Sequence, residues 1–103
     1  MMVPYHFSAY DISLCQQMWS DYVMQAEQAK VRTPNIWAAG IIRNFIDLNG
    51  VYNYDAHMVS EICRNVPVNS IYRTSKKIEE ALELENSDPR YINEEGLLLM
   101  LLS

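Results

Sequence analysis

The sequence predicts an all-α domain, a compact bundle of five helices, and three observations carry that expectation. Apolar residues recur at three- and four-residue steps along most of the chain. Residues that start and stop helices, among them Pro34, Gly50, Pro67 and Pro89, divide it into helix-sized pieces. No stretch alternates apolar and polar residues as a half-buried strand would. At 103 residues, half of them apolar, the chain has the material for one hydrophobic core. Three glycines and four prolines leave no Gly/Ser linker, so a single domain over 1–103 is expected.

The first helix is expected from about Ile12 to Lys30, with Ser8 or Asp11 as its cap. Ile12, Cys15, Trp19, Tyr22 and Ala26 form its apolar stripe, and Gln16, Gln17, Ser20 and Asp21 lie on the opposite face. The second begins at Thr33-Pro34, where threonine can accept an orphan amide and proline has no amide to leave unpaired. Gly50 is its stop. Between them Ile36, Trp37, Ala39, Ile41, Ile42, Phe45 and Ile46 leave little polar face, the mark of a helix surrounded by others. The cluster Ala38-Ala39-Gly40 predicts a close approach by a neighbouring helix.

Asp55 can cap a short third helix to about Arg64, with Ala56, Val59, Ile62 and Cys63 turned inward. Pro67 cannot sit inside a helix but can begin one, and Ile71, Ile78 and Leu82 are the buried stripe of a fourth helix over 67–85. Asn86-Ser87-Asp88-Pro89 breaks the chain again, and a fifth helix is expected from Arg90 to about Leu102. The expected core is Trp19, Val23, Ile36, Ala39, Ile42, Phe45, Ile46, Val59, Ile62, Ile78 and Leu82.

Several function classes find no support in these residues. His6 and His57 stand in unrelated segments without a neighbouring ligand set, and Cys15 and Cys63 lie on apolar helix stripes as inert hydrophobes do. There is no glycine loop for phosphate and no carboxylate pair in an apolar setting, so neither an enzyme nor a metal or other cofactor is expected. The N-terminus has no basic region followed by an apolar run, and the longest apolar run, Leu97 to Leu102, is far short of the roughly 20 residues that span a bilayer. An intracellular protein, cytoplasmic or nuclear, with no membrane contact is expected. The net charge of −5 opposes nonspecific binding to a polyanion, so any nucleic-acid contact must come from a local patch.

The run RTPNIWAAGIIRNFIDLNG resembles the central helix of a cyclin-like repeat in the transcription factor IIB family, where a basic, small, proline opening leads into an alanine-rich apolar helix. The following VYNYDAHMVSEICRNVPVNSIYRTSKKIEEAL is similar to the next two helices of that repeat. The resemblance covers four helices. It departs from the family in lacking the zinc-ribbon cysteines, a second repeat, and the helix that opens a repeat. Ser87 to Ile92 looks like the start of such an opening helix, here at the other end of the chain.

The resemblance implies a non-enzymatic binding module in transcription, docking on transcription proteins of the polymerase or TATA-binding-protein kind. It also implies a helix-turn-helix-like pair at about 55–85 that can lay its second helix on promoter DNA, through Tyr72, Arg73, Lys76 and Lys77. Over Asp55 to Glu85 four cations face six carboxylates, a net −2, and Lys76 can pair with Glu80 along the helix. An acidic protein-interaction adaptor or inhibitor without DNA binding therefore stands as the alternative. Leu97, Leu98, Met100 and Leu101 are too apolar to lie free in water, and three seats are open to them: the bundle's own groove, a partner's groove, or a homodimer seam.

Overall fold

The computed structural model describes residues 7–25, 34–50, 56–85 and 88–102, without the side chains of Ala56, Glu95, Leu99 and Met100. Five helices follow in order: α1 Ala9–Gln25, α2 Pro34–Asn49, α3 Ala56–Ile62, α4 Val68–Leu82 and α5 Glu94–Leu102. No strand forms among the described residues. The expected caps Thr33 and Asp55, and the expected continuation of the first helix from 26 to 30, lie outside them.

Helix α1 opens on a reciprocal cap. The Ser8 hydroxyl accepts the Asp11 amide at 3.0 Å while the Asp11 carboxylate accepts the Ser8 amide at 3.0 Å, so two orphan donors are satisfied at once. Helix α2 starts at Pro34 and ends before Gly50, whose φ of 65° is the left-handed conformation that glycine adopts without a steric penalty. It touches each of the other four helices, as its nearly continuous apolar composition predicts. Two core clusters flank it. Ala39, Ile46, Val59, Cys63, Val66 and Ile71 form one toward α3 and the start of α4, and Met18, Tyr22, Ile41, Ile78, Leu82 and Tyr91 form the other toward α1 and the end of α4.

Gly40 sits where α2 and α4 come closest. A Cβ there would lie 2.7 Å from Thr74 Cγ2 and 3.1 Å from the Ser75 backbone nitrogen, so α4 itself would have to move. Gly40→Ala should therefore destabilise by about 1–3 kcal/mol despite alanine's better helix propensity, measured as a fall in the denaturation midpoint.

The rotation of two helices differs from expectation. On α1 the buried side is Asp11, Leu14, Met18 and Tyr22, while Cys15 and Trp19 are half-buried and Ile12 and Val23 are exposed. On α3 Ile62 is exposed and Cys63 takes the inner position. Trp19, Ile36 and Ile42 are half-buried, and the remaining expected core residues are buried.

Helix α4 is shorter than 67–85. It stops at Leu82 because Glu83 is left-handed (φ 50°), and the amides of Glu83 and Leu84 return to the carbonyls of Glu80 and Glu79. The fifth helix begins at Glu94 rather than Arg90, for a tertiary reason. Asn49 donates to the Tyr91 carbonyl at 3.1 Å and its Oδ1 accepts the Asn93 amide at 2.7 Å, so backbone groups that a helix would use are already taken. Asn93 then caps α5, its Oδ1 accepting the Gly96 amide at 2.8 Å while its Nδ2 donates to Asp11 at 2.8 Å.

Candidate functional site

Two surfaces have the chemistry to bind a partner: the outer face of α4 and a groove between α1 and α2. The α4 face follows directly from its inner one. Ile71, Thr74, Ser75, Ile78 and Leu82 are buried against the bundle, which leaves Asn69, Tyr72, Arg73, Lys76 and Lys77 exposed. Ser75 and Asn44 hold the helix in register. The Ser75 hydroxyl donates to Asn44 Oδ1 at 2.5 Å, and Asn44 Nδ2 donates to the Ser75 carbonyl at 3.0 Å, both buried.

The four sequence-predicted residues Tyr72, Arg73, Lys76 and Lys77 are thus together on one exposed face. Salt bridges between described residues join Arg43 to Asp47 and Arg90 to Asp88. The pairing of Lys76 with Glu80 does not form, and among the described residues Arg73, Lys76 and Lys77 have no carboxylate within salt-bridge distance. Arg73 reaches only Ser70, at 3.4 Å. The last turn of the helix is acidic, with Glu79, Glu80 and the capping Glu83 exposed, so positive charge is confined to its middle, from Arg73 to Lys77.

Arg43 joins this face from α2 and had no signal in the sequence. Its guanidinium lies 4.5 Å from the centre of the Tyr72 ring while bonding Asp47 at 2.6 Å, a cation–π contact that orients the tyrosine. The turn before α4 adds Arg64 and Asn65, both exposed and both left-handed (φ 64° and 59°). The Asn65 amide donates to the Ser60 carbonyl at 2.7 Å and the Ser60 hydroxyl to the Val66 carbonyl at 2.6 Å, which closes the α3–α4 turn tightly.

The second surface is a groove of about 500 Å³ with walls from α1 and α2. Phe7, Ile12, Cys15, Trp19, Trp37 and Ile42 line it, and none of the described residues lining it is charged. Trp19 and Trp37 lie against each other with ring centres 5.8 Å apart. Burial, followed by the charge of Asp11, pushes the Cys15 thiol up to about 12, so it behaves as an apolar surface element rather than a nucleophile.

The C-terminal residues are divided between burial and solvent. Tyr91 is fully buried and donates its hydroxyl to Asp21 at 2.5 Å, and burial together with that carboxylate pushes its pKa upward. Arg90 clamps Asp88 through two bonds, at 3.0 and 2.9 Å, and donates to the Leu82 carbonyl at 2.8 Å. The guanidinium holds the Asp88 carboxyl down at about 2. Beyond this root Leu97, Leu98 and Leu101 are exposed, so the bundle's own groove is not their seat, and the Met100 side chain lies outside the described residues. Helix α5 packs on α2 and on no other helix.

Among the described residues no cluster of His, Cys, Asp and Glu is arranged to hold a metal ion, and His57 is exposed. No helix among them is long and apolar enough to cross a membrane. Comparison with family models, curated proteins and solved structures gives no match.

Proposed function

We propose that this protein is a non-enzymatic binding module acting in transcription, a single cyclin-like repeat that docks on transcription proteins and lays the middle of α4 on duplex DNA. The observation that carries the reading is the exposed face of Tyr72, Arg73, Lys76 and Lys77, whose cations have no carboxylate partner among the described residues. Cations without a described carboxylate partner, in the middle of the second helix of a tight helix–turn–helix pair, suit phosphate contact, and Arg73 can address a guanine edge with two bonds. The central position of α2, in contact with every other helix, agrees with the resemblance to the family's repeat.

Fluorescence anisotropy of a labelled duplex at low salt tests the DNA contact. Arg73→Ala, Lys76→Ala and Lys77→Ala together should weaken binding and lower the slope of log K against log salt by roughly 2–3, the effect of losing three phosphate contacts. Helical circular dichroism should not change, because all three side chains are exposed. If the unaltered protein shows no binding at low salt, the DNA contact is wrong.

The net charge of −5 and the acidic last turn of α4 favour a second reading, an adaptor or inhibitor that binds protein alone. Retention of polymerase subunits or a TATA-binding protein from the native host on the intact chain would support a role in transcription under either reading. Retention of unrelated proteins would remove it.

A further inference from the structure

Two apolar surfaces of this chain are open at once. One is the groove between α1 and α2. The other is the free end of α5, where Leu98, Leu101 and Leu102 are 57, 70 and 76 % exposed. The root of α5 is held by the ties among Asn49, Asp11, Asn93 and Gly96, and a Cβ at Gly96 would collide with the Asn49 side chain and Ile92. Beyond that root α5 does not touch α1, and none of its described side chains lines the groove of its own chain.

We propose that the α1/α2 groove receives the C-terminal helix of a second copy of this chain, the two copies exchanging α5 reciprocally. The two surfaces match in charge. The described residues of the groove lining include no charge and α5 has none after Glu95, so among them the contact strands no ion and offers none to a charged partner peptide. The helix end also fits within the length of the groove, since Leu97 to Leu102 rises about 7.5 Å and the Ile12 to Trp19 wall about 10.5 Å at 1.5 Å per residue. A two-fold pair makes the contact twice, so each seat need bury only about 600 Å² to bring the pair to the roughly 1,200 Å² at which stable interfaces begin. Reciprocal exchange also closes the assembly, leaving neither surface free to grow a chain of copies.

Trp19 and Trp37 are the chain's two tryptophans and both line the groove, so their fluorescence reports its occupancy. On concentrating the intact protein, sedimentation should pass from monomer to dimer and tryptophan emission should shift to the blue. Leu98→Glu with Leu101→Glu should abolish both changes, and Ile12→Glu in the groove should do the same. Each altered residue is exposed, so helical circular dichroism should hold. Mixing the two variants should restore a weaker heterodimer, because one intact groove and one intact helix remain. A monomer at every concentration would overturn the proposal, as would a ladder of larger species. A dimer that survives Ile12→Glu but not the leucine changes would show α5 pairing with α5 instead. None of these outcomes depends on whether α4 binds DNA.

Discussion

Phe45→Ala should bring the protein close to unfolding. Phe45 lies in the middle of α2 with no exposed surface, its ring 5.8 Å from that of Phe7. Truncating a buried phenylalanine costs about 3–5 kcal/mol, the transfer free energy of the ring plus the cavity it leaves. A domain of ordinary stability has only about 5–15 kcal/mol in total. Thermal unfolding should therefore start at least about 12 °C lower. In denaturant the midpoint should fall with the slope unchanged, since the surface exposed on unfolding is nearly the same. A loss under about 1 kcal/mol would mean that α2 is not the centre of the bundle.

Tyr91→Ala should have an effect of similar size, about 3–5 kcal/mol, although Tyr91 lies outside every helix. Its ring is wholly buried with Met18, Tyr22, Ile41, Ile78 and Leu82, and so closes the cluster that α1, α2 and α4 build between them. Tyr91→Phe separates packing from polarity. It keeps the ring and loses only the hydroxyl bond to Asp21, which is partly exposed and can take water instead, so about 1–2 kcal/mol should be lost. Truncation after Asp88 removes Tyr91, Asn93 and α5 together and should destabilise at least as much as Tyr91→Ala. Equilibrium denaturation of the three variants orders them, and a truncated chain as stable as the whole would show that the 88–93 segment is not part of the core.

Most helix positions were legible in the sequence because capping and breaking residues act locally. Pro34, Gly50 and the Asn65–Pro67 interruption mark the bounds of α2 and the gap between α3 and α4. Helix rotation was less legible. On α1, Ile12, Leu14, Cys15, Met18, Trp19, Tyr22 and Val23 are spread widely around the axis, so the apolar period sets the pitch without choosing the inner side. Packing chose Leu14, Met18 and Tyr22, and put Cys15 and Trp19 on the groove. Helix α3, with seven residues, has too few turns for a stripe to distinguish Ile62 from Cys63.

The exposed face of α4 was readable because a helix places residues three and four apart together, so Tyr72, Arg73, Lys76 and Lys77 had to share a side once Ile71 and Ile78 were buried. By itself, then, the sequence determined an all-helical chain, a central α2 and a cationic middle to α4. Those properties rest on backbone hydrogen bonds and side-chain spacings within about four residues. Only the tertiary structure decided that Arg43 lies over Tyr72, that Asn49 binds the Tyr91 carbonyl 42 residues away, and that Asn93 reaches Asp11 across 82 residues. It also left the α5 leucines and the α1/α2 groove both exposed. Such contacts depend on how rigid helices pack in three dimensions, and no local spacing in the chain encodes that arrangement.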